Sequence, residues 1–149
     1  MVDMTGRRPS DAESFQQRVG PFVQRLLTAF EESTAHTGAE LDNDRRELVL
    51  YGVGEPPAAL EAMMAEAPGE LRVRWRAAPY TREELVAEVQ RVMTASDKLH
   101  TGAPRTDGTA LEFTTTDAQL LAADDPQTVL GSRYPVAILH GARPRLYEC

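Results

Sequence analysis

The sequence has almost no cysteine, few aromatic residues and no long apolar run. A single cysteine stands at position 149, so an internal disulfide is excluded. No apolar stretch approaches the ~18 residues that a membrane-spanning helix requires. Nor does an apolar segment follow the N-terminal arginines, as it would in a secretory signal. We therefore expect a cytoplasmic protein that does not bind membranes.

Positive charge is also scarce. Lysine and arginine number 16 against 23 acidic residues, which gives a formal net charge of −7. This sign disfavours a nucleic-acid partner, since such proteins need an excess of basic residues along the phosphate backbone. Apolar residues make up 42% and charged residues 26%, the balance of a folded globular chain.

Motifs that carry catalysis or metal binding are weak or missing. The segment Gly52–Gly54 begins like a dinucleotide-binding loop, but Pro57 occupies the position of its third glycine. The histidines lie far apart in the sequence, without the close spacing of metal ligands: His36, His100 and His140. We predict no catalytic residue, no metal and no cofactor, and an enzyme is the least favoured function.

Hydrophobic periodicity predicts a helix, a hairpin, a short helix and a strand in the first half of the chain. Apolar residues at spacings of three and four indicate a helix over 11–34, which Gly20 and Pro21 should bend or split. Two apolar stretches, 39–41 and 47–53, flank a turn and predict a hairpin. After a short helix, strict alternation over 71–76 indicates a half-buried strand.

The second half repeats this order. A capping-box pattern at Thr81 opens a helix to about residue 95. A hairpin then turns at 106–108, short helices follow near 116–121 and 125–131, and a strand covers 134–139.

The repeated order predicts an internal duplication at an offset of about 63 residues. We predict an α+β fold of two tandem αββαβ units, residues 11–79 and 80–142. Because each unit is small, the two should share a core or a continuous sheet, with helices packed on one face of the sheet. A flexible N-terminus, 1–10, and a C-terminal tail, 143–149, would flank them.

Three arginines on one predicted strand are the least ordinary feature of the sequence. Arg72, Arg74 and Arg76 occupy alternate positions, so their side chains should leave the same face of the sheet. Guanidinium groups bind carboxylates and phosphates bidentately, which predicts a docking face for an acidic protein partner. Arg133 and Arg143 would extend this face if the last strand lies close.

Two other interpretations of these residues stay open. Glu47 and Glu112 on other strands could pair with the arginines, which would make the charges purely structural. Alternatively, the protein could bind a small anionic ligand in a pocket between the two units. That pocket would be lined by four large side chains, Tyr51, Met63, Met64 and Trp75.

Three short segments of the second half resemble a known protein family: Tyr80–Leu85, Asp107–Phe113 and Tyr134–Ile138. Together they are similar to the pro-regions of actinobacterial serine proteases of the α-lytic and streptogrisin type, over roughly residues 78–140. The resemblance implies a small α+β module that packs its sheet against a protein partner and acts as a folding chaperone and inhibitor.

Overall fold

A computed structural model describes residues 11–141 of the chain. In this range the protein is a mixed α+β structure with five helices and two three-stranded sheets. The chain divides into two compact units, and the boundary in the sequence lies between Ala77 and Ala78. The flexible N-terminus and the C-terminal tail predicted from the sequence lie outside the described residues.

The first unit contains two helices and three strands. Its elements are α1 (Asp11–Glu31), β1 (His36–Asp42), β2 (Glu47–Gly52), α2 (Ala58–Ala65) and β3 (Arg72–Ala77). The strand order is β1-β2-β3, in which β1 and β2 form an antiparallel hairpin and β3 runs parallel to β2. A parallel pair needs a crossover connection, and α2 lies within it.

The core of the first unit forms where α1 packs against the central strand. Leu48 and Leu50 of β2 are buried together with the apolar stripe of the helix: Phe15, Val19, Phe22, Val23, Leu26 and Phe30. Pro21 lies inside α1 on its exposed side, and the predicted split of the helix does not occur. The apolar stripe continues on both sides of the proline into one core, and this packing favours an unbroken helix.

The second unit has the same hairpin and parallel strand with one more short helix. Its elements are α3 (Arg82–Ala95), β4 (Leu99–Pro104), β5 (Leu111–Thr115), α4 (Ala118–Leu121), α5 (Pro126–Leu130) and β6 (Val136–His140). The strand order is β4-β5-β6, antiparallel and then parallel.

Local signals in the sequence account for the ends of these helices. The Thr81 hydroxyl accepts a hydrogen bond from the Glu84 N–H, and the Glu84 carboxylate accepts one from the Thr81 N–H, which confirms the capping box. The Asp117 and Asp125 carboxylates cap α4 and α5 by accepting hydrogen bonds from the N–H groups of Leu120 and Thr128. Gly131 ends α5 with φ +65°, a left-handed conformation that favours glycine.

Buried apolar side chains form two clusters, one in each unit. The cluster of the second unit consists of residues from every element except α5 and β6: Leu85, Val89, Val92, Leu99, Leu111, Phe113 and Leu120. Each long helix supplies an apolar stripe that packs on its own unit's sheet, so each unit acquires a core of its own.

Candidate interaction surface

The three arginines of β3 lie on one face of the first sheet, at its edge. They alternate with Val73 and Trp75, which are half-buried and pack against the core. Arg72, Arg74 and Arg76 are exposed on the opposite face. The side-chain alternation of a strand therefore brings these three predicted residues together.

Glu47 of β2 is the nearest carboxylate to this row. The strand register places it opposite Arg72, whose Nη1 lies 3.9 Å from Glu47 Oε2. Arg74 Nη1 lies 3.6 Å from Glu47 Oε1. Within residues 11–141, Arg76 forms no ion pair. Exposed pairs of this kind contribute only about 0–1 kcal/mol, so the arginines remain able to bind a partner.

The other charged residues predicted for this surface lie elsewhere. Glu112 belongs to β5 of the second unit and forms an ion pair with Arg105 at 3.1 Å. Its partner is therefore not one of the β3 arginines, with which the sequence suggested that it could pair. Arg133 also belongs to the second unit, where its backbone N–H donates to Glu88. Arg143 lies outside the described residues. The structure thus groups three of the five predicted arginines.

On this face of the sheet, the edge formed by β1 is acidic. Strand β1 contributes Glu40 and Asp42, and the register pairs them with Val49 and Glu47. A depression of about 180 Å³ on this face is lined by residues of all three strands and the hairpin turn: Glu40, Asp42, Arg45, Glu47, Val49, Tyr51 and Arg76. The face therefore changes from acidic at β1 to basic at β3. Sequence reasoning missed this, although the acids stand at alternate positions of the strand.

The four residues of the alternative ligand pocket do not line one cavity. Tyr51 lies on the face of the arginines, whereas Trp75 lies on the other face of the sheet. Met63 and Met64 of α2 pack against the core, as Trp75 does. The Trp75 indole N–H donates to the backbone carbonyl of Gly54 at 2.9 Å, which fixes the ring in place. Three of the four side chains are therefore part of the core packing.

The second unit contains a buried carboxylate, Glu88, that was not predicted from the sequence. Glu88 of α3 is 5% exposed. Its Oε1 accepts a hydrogen bond from Arg91 Nε at 2.6 Å, and its Oε2 accepts from Arg91 Nη2 at 2.8 Å and from the Arg133 N–H at 2.6 Å. Arg91 Nη2 also donates to the Gly131 carbonyl at 2.7 Å. One signal was available, since Glu88 stands three residues after Leu85 within the apolar stripe of the helix.

These hydrogen bonds determine the charge of the carboxylate. The bond from Arg91 and, more weakly, that from the Arg133 N–H lower the pKa of Glu88 to about 2, against the opposing effect of burial. Near neutral pH the group is ionised, with both oxygens engaged. It therefore connects α3 to the segment before β6 and is poorly suited to transfer protons.

The described residues contain no group of three or more histidine, cysteine, aspartate or glutamate side chains placed to hold a metal ion. In the same range, no helix is long and apolar enough to cross a membrane. The sequence matches no protein-family model and no curated protein.

Proposed function

We propose that this protein is a non-catalytic protein-interaction module that binds an acidic partner through the arginines of β3. The observation that carries the proposal is the exposed row of Arg72, Arg74 and Arg76, with which only Glu47 forms ion pairs in the described residues. In a protein of net charge −7, such a local excess of positive charge attracts an acidic surface.

The resemblance to protease pro-regions supports the same function. Those modules pack a sheet against their partner, and here too the charged surface belongs to a sheet. By this analogy the protein acts as a folding chaperone or an inhibitor of its partner, and we assign it to the cytoplasm.

We further propose that the two units arose by duplication of an αββαβ unit whose helices cover one face of the sheet. The support is the repeated element order and the repeated ladder, antiparallel and then parallel. The ladder pairs Leu48 with Val73 in the first unit and Leu111 with Val136 in the second, an offset of 63 residues in both cases.

A capture experiment with charge-reversed variants tests the interaction. Wild-type protein, the variant Arg72→Glu/Arg74→Glu and a matched control, Arg25→Glu/Arg82→Glu, are immobilised and exposed to native cytosol. The control arginines are exposed, lie on helices and form no ion pair within the described residues, so both variants change the net charge equally. Retained proteins are identified by mass spectrometry, and circular dichroism verifies that each variant is folded.

We expect one acidic protein to be retained by the wild type and the control and lost from the β3 variant. Addition of soluble polyglutamate should release it, because the polyanion competes for the arginines. Retention of the same proteins by all three baits would contradict the proposal, because binding would then be independent of the β3 arginines.

A further inference from the structure

Strand β3 has a free edge. Within the described residues it pairs with β2 alone, as the last strand of its sheet. The Arg72 N–H donates to the Arg46 carbonyl at 2.9 Å, so the arginine backbones face β2. In a parallel ladder the alternate residues Val73, Trp75 and Ala77 then point their N–H and C=O groups away from the sheet. Such an edge can pair with another extended chain.

The charges of the sheet favour binding at this edge over binding across the face. Adjacent strands lie about 4.8 Å apart, so β1 and its acids are roughly 10 Å from the arginine row. An acidic segment lying across the face would meet Glu40, Asp42 and Glu47. A segment beyond β3 would lie next to the arginines and roughly 15 Å from β1, farther than the ~8 Å screening length in physiological salt.

We infer that the partner contributes an extended acidic segment that adds to β3 as a fourth strand of the first sheet. This inference rests on the proposed function and specifies its binding mode. Strand addition supplies affinity through backbone hydrogen bonds and specificity through alternate side chains. The arginines stand at every second residue, so the segment carries acids at every second position.

The intervening positions of the segment are apolar. Their side chains leave the opposite face of the extended sheet, beside the half-buried Val73 and Trp75. Apolar side chains there would cover exposed parts of these two residues, as cross-strand neighbours do. The recognised sequence is therefore an alternation of acidic and apolar residues, with at least three acids to match the three arginines.

Synthetic peptides can separate strand addition from simple charge attraction. The probe is a fluorescein-labelled peptide of alternating glutamate and valine, titrated with the full chain and followed by fluorescence anisotropy. A second peptide has the same composition with the glutamates in one block. Two further peptides carry N-methyl groups on alternate residues, one on the odd positions and one on the even positions. Only one of these two loses the N–H groups that face β3.

We expect the alternating peptide to bind at least tenfold more tightly than the block peptide. One N-methylated peptide should lose at least tenfold in affinity, while its counterpart binds like the parent. Arg72→Glu/Arg74→Glu should weaken the alternating peptide at least tenfold, and Arg25→Glu/Arg82→Glu should leave its affinity unchanged.

Other outcomes overturn the inference in distinguishable ways. Equal binding of both N-methylated peptides, lost in the β3 variant, would place the acidic segment on the face and leave the proposed function intact. If a partner is captured from cytosol through the arginines but no peptide binds, strand addition would likewise be refuted and the proposed function would stand. A dimer of this chain that the β3 variant dissolves would make a second copy the occupant. Loss of arginine dependence in both experiments would refute the proposed function as well.

Discussion

Replacement of Glu88 by glutamine is expected to destabilise the second unit near neutral pH. The carboxylate accepts three hydrogen bonds from Arg91 and Arg133. A glutamine has one carbonyl oxygen, so its NH₂ group would face at least one of these donors and leave it unsatisfied. The hydrogen bonds lower the pKa of Glu88 from 4.5 to about 2. Since one pKa unit corresponds to about 1.36 kcal/mol, the ionised group contributes about 3 kcal/mol to the free energy of unfolding.

The sign of the pH dependence follows from the direction of this shift. The pKa of Glu88 is lower in the folded protein than in the unfolded chain, so its contribution is complete above the unfolded value of 4.5. It is lost as the pH falls toward about 2, the folded value. At about pH 3, less than half of the roughly 3 kcal/mol remains. The difference between wild type and Glu88→Gln should therefore narrow as the pH is lowered.

Urea unfolding followed by far-UV circular dichroism, near pH 7 and again near pH 3, measures both effects. Glu83→Gln is the matched control, because Glu83 lies exposed on the same helix and undergoes the same chemical change. Because Glu83 lies in the first helical turn, its replacement by glutamine should lower the free energy of unfolding by less than about 1 kcal/mol. The reasoning would be refuted if both variants lost equal stability near pH 7, or if the gap for Glu88→Gln stayed constant down to pH 3.

Three further substitutions test the packing and capping of the described elements. Gly52→Ala should lower the free energy of unfolding in urea by about 1–3 kcal/mol and shift the emission of Trp75, because the new Cβ would clash with the indole ring. Gly20→Ala, in open space within α1, should instead stabilise the protein by about 0.5–1 kcal/mol. A similar effect of the two substitutions would contradict the close approach of the Trp75 ring to Gly52. Thr81→Ala should cost about 1 kcal/mol through loss of the capping box, and unchanged urea unfolding would show that the box is dispensable.

Most elements of the fold could be predicted because their signals are local. The apolar stripe of α1, the alternation of β3 and the capping box at Thr81 each depend on residues within one element. Of the two outcomes predicted at Pro21, a bend or a split, the split does not occur, because packing on both sides of the proline supports a single helix. Each unit has a cluster of buried apolar residues, to which its long helix and its sheet both contribute.

The candidate surface was predictable only in part. Alternation alone places Arg72, Arg74 and Arg76 on one face, and the structure does the same. The absence of a nearby partner for Arg76 within residues 11–141, and the acids of β1 on the far side of the face, depend on which strands are neighbours and in what register. Neither is encoded in any single segment of the sequence.

The sequence by itself determined the types of the elements, the face on which the β3 arginines lie and the sign of the net charge. These properties follow from periodicity and composition, which need no knowledge of distant contacts. Only the tertiary structure decided how the charges are paired. Glu88 and Arg133 meet across 45 residues of chain, and Glu47 meets Arg72 across the crossover that contains α2. Such contacts depend on the path by which the chain returns, because the strength of a hydrogen bond or ion pair is set by distance in space.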